Sequence, residues 1–328
     1  MPPQSHAPSG LTINGRCRTQ AFSLGYRVSP RWGCGLRMTS EKPTDISVAR
    51  NSCPATLSAR LATVRTDPPL FKPTDDSMCL LGIQFQTVPD APVLLLANRE
   101  ESYARSATGP AVHEPSTEGK PRWFGGTDLL AGGTWLGVND RRLIVAVTNR
   151  PKEQVAFPTR SRGRLCVDLL ECADVPTARG LAVAELQRTD YAGCNLLLVS
   201  PEQAVVIEAG NVLRVHDLSP GLHLVSNGDW NSPTDARLNF ARHELEHLRF
   251  TTLEHWLQAA GNLCGRRATG DHPAICLEGT DRGTVSASLI TLGTTPATTR
   301  FRHAPGPPTT TPFVDVSEEF RAMLSSSG

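Results

Sequence analysis

Cys79 stands directly behind Met78 and opens a short apolar run, Leu80-Leu81-Gly82-Ile83. A cysteine at the head of a strand is how a hydrolase with its nucleophile at the first residue begins. Cysteine suits that work because its reference pKa of about 8.5 leaves some thiolate near neutral pH. As a true first residue it would also carry its own base, an α-amino group with a reference pKa of roughly 7.7 to 8.0. The ordinary alternative is an inert cysteine buried on a core strand, and spacing alone favours that alternative.

Other polar groups stand at the ends of apolar strands. Asn98-Arg99-Glu100-Glu101 closes the second strand, and a two-strand hairpin brings Arg99 close to Cys79. A guanidinium there can lower a thiol pKa or hold a substrate carboxylate. Taken singly it reads as a solvated charge at a strand end. Thr148-Asn149-Arg150 ends another strand, and Ser226-Asn227-Gly228 a third. An asparagine amide at such a terminus can donate to a developing oxyanion, and is equally at home in a turn. Together, Cys79, Arg99, Asn149 and Asn227 suggest an acyl-transfer site.

His243-Glu244-Leu245-Glu246-His247 matches the zinc-protease pattern H-E-x-x-H, with two histidines on one helical face. The apolar stripe Leu238, Ala241, Leu245 and Leu248 lies opposite, although Phe240 shares the histidines' side. No third ligand follows at the required spacing, so the match reads as chance on a charged helix face, and a zinc metalloprotease is the remote alternative. Gly125–Gly137 lacks the Gly-Lys-Ser/Thr of a phosphate loop. Its glycines instead suit tight turns beside a strand, with Trp135 as a core or pocket-wall aromatic.

The elements that must position these residues follow from hydrophobic periodicity. Strands are expected at Cys79–Gln86, Val93–Arg99, Thr134–Val138, Leu143–Asn149, Asn195–Ser200, Ala204–Glu208, Leu222–Ser226 and Thr284–Thr291. Helical spacing marks Leu165 to Leu170, Ala178 to Leu186 and Thr252–Leu263. A long helix is expected from Pro233 to about Leu248, with Ser232 as N-cap. After Pro305 the chain is Pro/Thr-rich and reads as loose. Strands come in blocks with helices paired between them, which predicts antiparallel sheets with helices on their outer faces, an α+β architecture.

Hydrophobic content of 39% and charged content of 20% over 328 residues are ordinary for a globular chain. A net charge of +1 gives no electrostatic reason to expect nucleic acid or an anionic membrane as partner. No apolar stretch is long enough to span a bilayer. Nine irregularly spaced cysteines without a CxxC pair argue against a disulfide framework or a zinc ribbon, and fit a reducing, cytoplasmic setting. Residues 1–77 differ: they are rich in Ser, Thr, Pro and Arg, with no acid before Glu41. Either a transit-like leader or a mis-assigned start accounts for them, and the second is favoured because Met78-Cys79 offers a start of its own. Disorder is expected there.

The chain resembles the NRDE family, which includes the transport-and-Golgi-organisation protein two. The resemblance rests on Met78-Cys79, on Asn98-Arg99-Glu100-Glu101 and on Gly132-Gly133-Thr134-Trp135-Leu136-Gly137. It continues through Thr148-Asn149-Arg150, Ser161-Arg162-Gly163, Asn195-Leu196-Leu197, Ser226-Asn227, Asn231-Ser232-Pro233 and Gly283-Thr284-Val285-Ser286. These motifs run in family order over residues 78–313, leaving 314–328 as a C-terminal tail. The resemblance implies a four-layer αββα sandwich like that of N-terminal-nucleophile hydrolases such as penicillin V acylase and bile-salt hydrolase. It also implies Cys79 as nucleophile and base, Arg99 as thiol-tuning residue, and Asn149 and Asn227 as oxyanion or substrate ligands. The substrate would be a small molecule with a non-peptide C–N amide bond, with no metal and no cofactor. The alternative is a non-catalytic carrier of haem or an acyl lipid in the same cleft. One departure is Glu100, where the family name has Asp; the longer side chain keeps the charge but shifts its reach. A second is the leader, since with residues 1–77 attached the nitrogen of Cys79 is an amide and no base.

Overall fold

The computed structural model describes residues 79–153, 160–248 and 250–325. The leader expected over residues 1–77 and the adjoining Met78 lie outside the described residues. Strands β1 (Leu80–Phe85) and β2 (Val93–Ser102) form a hairpin, followed by β3 (Ala111–His113), β4 (Trp123–Gly125), β5 (Leu136–Asn139) and β6 (Ile144–Asn149). Helices α1 (Arg162–Leu170) and α2 (Val175–Arg188) precede β7 (Cys194–Val199), β8 (Ala204–Ala209), β9 (Leu213–Asp217) and β10 (Gly221–Val225). Helices α3 (Ala236–Glu246) and α4 (Leu253–Cys264) come next. Then follow β11 (Arg282–Leu292), β12 (Arg300–Ala304), β13 (Val314–Asp315) and α5 (Ser317–Ser325).

These strands make two antiparallel sheets, ordered β10-β1-β2-β11-β12-β13 and β3-β4-β5-β6-β7-β8-β9. The central strands alternate between two faces, and both of those faces are apolar. Leu81, Ile83, Leu95 and Ala97 of the first sheet meet Ile144, Ala146 and Leu197 of the second in one buried interior. The opposite face of the first sheet, with Leu80, Leu94 and Leu96, packs on Leu238, Leu245 and Trp256 of α3 and α4. The outer face of the second sheet, with Val145, Leu196 and Leu198, packs on Leu165, Leu169 and Ala178 of α1 and α2. Three stacked interiors make four layers, αββα. A strand buried on both sides reads as a continuous apolar run, as Val93–Ala97 does.

The expected helix at Pro233 begins three residues later. Asp235 is its N-cap, accepting from the backbone N–H groups of Arg237 and Leu238 at 2.9 and 3.0 Å. Ser226 holds that carboxylate through its hydroxyl at 2.9 Å, while Ser232 spends its own hydroxyl on Thr234. The segment past Pro305 is not loose as expected: α5 buries Phe320 and Met323 in the inter-sheet interior. Its first residue, Ser317, is anchored to β12 where the Phe301 N–H donates to its hydroxyl at 2.9 Å. Among the described residues no helix is long and apolar enough to cross a membrane.

The backbone before β5 crosses the start of α1 at close range, with the Thr134 N–H donating to the Gly163 carbonyl at 3.0 Å. A Cβ on Gly133 would meet the Gly163 carbonyl carbon at 2.2 Å and the Arg164 nitrogen at 2.5 Å. Both are backbone atoms that cannot swing aside. Gly133→Ala is expected to lower unfolding free energy by about 1–3 kcal/mol, as core overpacking does. Chemical denaturation measures this, and an unchanged midpoint would contradict the crossing.

Candidate functional site

The alternation of β2 sorts the Asn98-Arg99-Glu100-Glu101 segment onto two faces. Leu94 and Leu96 face the helices, so Asn98 and Glu100 follow them; Leu95 and Ala97 face the second sheet, so Arg99 does too. Asn98 donates its amide to the carbonyls of Cys264 and Ile275 at 2.9 and 3.1 Å, fixing the end of α4 to the sheet. Glu100 is buried and receives Arg237 of α3 at 2.8 Å and the Thr284 hydroxyl at 2.9 Å. Its second oxygen, Oε2, has no hydrogen-bond partner. Glu101 is shared between Arg105 at 3.4 Å and Arg282 at 3.7 Å. Arg237 was not singled out from the sequence, because nothing local to α3 reveals a carboxylate 137 residues away.

Cys79 lies at the open end of β1. Leu80 pairs with Asn98 and Leu81 with Val225, so continuing both registers sets Cys79 between Arg99 and Asn227. The expected strand-end grouping of Cys79, Arg99 and Asn227 is therefore brought together on neighbouring strands. The thiol is buried and donates to the Glu100 carbonyl at 3.7 Å. Burial pushes its pKa up to about 12, the Glu100 carboxylate adds to the rise, and Arg99 pulls the other way without overcoming them. Burial also raises the Glu100 pKa, against the pull of Arg237. Arg162, at the start of α1, also feels the Cys79 and Cys194 thiols, and burial lowers its own pKa.

Asn149 sits apart from that trio. It ends β6 and by alternation shares the face of Val145 and Val147. Its neighbours reach across instead. The Thr148 hydroxyl donates to the Ser226 carbonyl at 2.6 Å, and the Asn195 amide donates to the same carbonyl at 2.8 Å and to that of Gly228 at 2.9 Å. Arg150 adds a bond to the Gly228 carbonyl at 2.7 Å and to Glu208 at 3.2 Å. The turn that carries Asn227 is thus gripped from the second sheet. The pattern Asn195-Leu196-Leu197 was legible as a motif, but not as a clamp on this turn.

A cavity of about 310 Å³ opens between the sheets beside Arg99, lined also by Trp135, Leu136, Ser286, Ser288, Phe301 and His303. The Cys79 thiol does not line it. A larger hollow of about 830 Å³ lies by Phe85 and Leu218, at the other end of β1 from Cys79. The histidines of the H-E-x-x-H match are exposed on α3 and at its C-cap, their rings 4.3 Å apart. Glu244 between them is spent on Arg266 at 3.2 Å. Among the described residues no group of three or more potential ligands could hold a metal, and the six cysteines are all free thiols.

Two outcomes follow. In the unprocessed chain iodoacetamide should label Cys79 at least about a hundredfold more slowly than a free cysteine, since almost no thiolate forms at neutral pH. Glu100→Gln should speed that labelling, because it removes the carboxylate that raises the thiol pKa. Peptide mass spectrometry reads both, and rapid labelling of the unprocessed protein would refute the burial argument. Secondly, burial holds the His303 pKa down at about 4 against an ordinary 6.5. The unfolded chain then takes up a proton that the folded protein refuses, so stability falls as pH drops from 6.5 towards 4, by at most about 3 kcal/mol. His303→Gln should flatten that part of a pH–stability profile, and an unaltered slope would contradict the assignment.

The family model described as Transport and Golgi organisation 2 matches residues 78–259. The Homo sapiens Transport and Golgi organization protein 2 homolog is 28% identical over 168 residues, which is 48% of this chain and 59% of that protein. The Bos taurus homolog is 26% identical over 172 residues, again 48% and 59%. The chain thus spans under two thirds of the length of these relatives. Among solved structures, a mutant of conjugated bile acid hydrolase from Clostridium perfringens is 12% identical, covering 74% of this chain and 93% of that one at a TM-score of 0.40. The Caenorhabditis elegans ortholog of N-acylethanolamine-hydrolyzing acid amidase is 13% identical, covering 65% and 92% at 0.41. Penicillin V acylase from Agrobacterium tumefaciens is 10% identical, covering 73% and 87% at 0.41. These are likenesses only; the four layers rest on the strand registers and the three apolar interiors. With more than half of its residues matched by the family model, the chain belongs to the Transport and Golgi organisation 2 family.

Proposed function

We propose that the protein is a cysteine amidohydrolase, acting on a non-peptide C–N amide bond, in which Cys79 is the nucleophile when it carries a free α-amine. The observation that supports this reading is the register that sets Cys79 between Arg99 and Asn227 at the mouth of β1. In the proposed reaction the sulfur attacks the amide carbonyl carbon while the α-amine of Cys79 takes the thiol proton. The oxygen gains negative charge and is met by a side-chain amide donor, for which Asn227 is the candidate. Collapse expels the amine product, which takes the proton from the α-ammonium and leaves a thioester. Water then attacks the thioester, giving the acid and returning the thiol. With residue 78 attached the nitrogen of Cys79 is an amide, and a thiol held near pKa 12 is idle. A reducing, cytoplasmic setting belongs to the same reading, because a thiol nucleophile persists there.

A second reading keeps the cleft and drops the turnover. It is a non-catalytic protein that carries haem or an acyl lipid. A chain cut to begin at Cys79 separates the two. Its expected behaviour is rapid alkylation of Cys79 and hydrolysis of N-acyl amides, both lost in Cys79→Ala. A liberated Cys79 that neither alkylates faster than in the unprocessed chain nor turns over any amide would reject the hydrolase. A shifted haem absorption band in that inactive protein would favour the carrier.

A further inference from the structure

Arg99 is 7% exposed. Among the described residues it makes no hydrogen bond and no ion pair, although Arg105 nearby is matched by Asp128 and Glu101. The part of its surface that remains open is on the cavity of about 310 Å³, whose lining contains no aspartate or glutamate. A guanidinium withdrawn from water without a counter-charge is costly, and cannot shed its proton to escape that cost. The cavity therefore carries one uncompensated positive charge. His303 in the same wall adds none at neutral pH, since its ring is held uncharged by burial and bonds Ser288 at 3.1 Å.

The rest of the wall is amphipathic. Ser286 and Ser288 of β11 face inward beside Arg99, because Ser286 pairs with Arg99 and Ser288 with Ala97. Trp135, Leu136 and Phe301 supply the apolar side. At about 30 Å³ per water the space holds roughly ten water molecules, so an enclosed ligand has on the order of a dozen heavy atoms.

We infer that this inter-sheet cavity binds small amphipathic monocarboxylates, with Arg99 taking the carboxylate and Trp135, Leu136 and Phe301 the apolar body. The inference deepens the hydrolase reading by naming a substrate or product class for its cleft, and rests on that reading only for the word substrate. A guanidinium matches a carboxylate bidentately, whereas lysine offers a point charge.

Full-length Cys79→Ala protein, which cannot turn over, is titrated calorimetrically with 4-phenylbutyrate and with its neutral isostere 4-phenylbutyramide. The acid is expected to bind at least tenfold more tightly than the amide. Arg99→Gln should remove that preference, and Arg99→Lys should retain part of it. Equal binding of acid and amide, binding of neither, or full acid binding by a folded Arg99→Gln protein would overturn the inference. Should Arg99→Gln fail to fold, the comparison of acid with amide still decides. Amide turnover without acid binding would remove this site and leave the hydrolase; acid binding without turnover would do the reverse.

Discussion

The buried pair of Glu100 and Arg237, 2.8 Å apart, is the contact on which the rest of the site depends. It joins β2 to α3, and the Thr284 hydroxyl ties β11 to the same carboxylate. Removing either charge strands the other in the interior, a loss of roughly 3–5 kcal/mol in comparable cases. The pair also governs chemistry. Burial keeps the Cys79 thiol protonated, and the carboxylate fixed beneath it adds to that effect.

From that anchor the two faces of β2 take separate duties. The helix-facing residues, Asn98 and Glu100, are structural: one ties down the end of α4 and the other pins α3. The inward-facing Arg99 has no such bond and opens on the cavity. One residue's step along a strand therefore separates a scaffold from a recognition surface. The Glu100 side chain reaches both Arg237 and Thr284.

The second sheet contributes by holding the turn after β10. Thr148, Asn195 and Arg150 all bond carbonyls of Ser226 or Gly228, so the turn that carries Asn227 is held before and after it by the second sheet. Ser226 also steadies Asp235, the N-cap of α3. The same few residues thus couple sheet packing, helix initiation and the placement of a candidate oxyanion ligand. A site assembled across two sheets in this way is held by side chains from both layers.

Much of this was written into local pattern. The long strands and the four outer-layer helices announce themselves by apolar runs and helical spacing, because burial on a regular element forces a period. The pairing of Cys79 with Arg99 follows from a hairpin whose two strands are adjacent in the chain. Short elements left no such trace: β3 and β4 are three residues each, too brief to show alternation. Helix α5 hid behind a Pro/Thr-rich approach, and its burial is set by β12 and the inter-sheet interior. Residue types at strand ends were legible, but the faces they serve were not. That Arg237 meets Glu100, that Asn195 rather than Asn149 grips the turn at Ser226, and that burial silences the Cys79 thiol all depend on partners distant in sequence. Ion pairing and desolvation act through space, so only the folded arrangement could decide them.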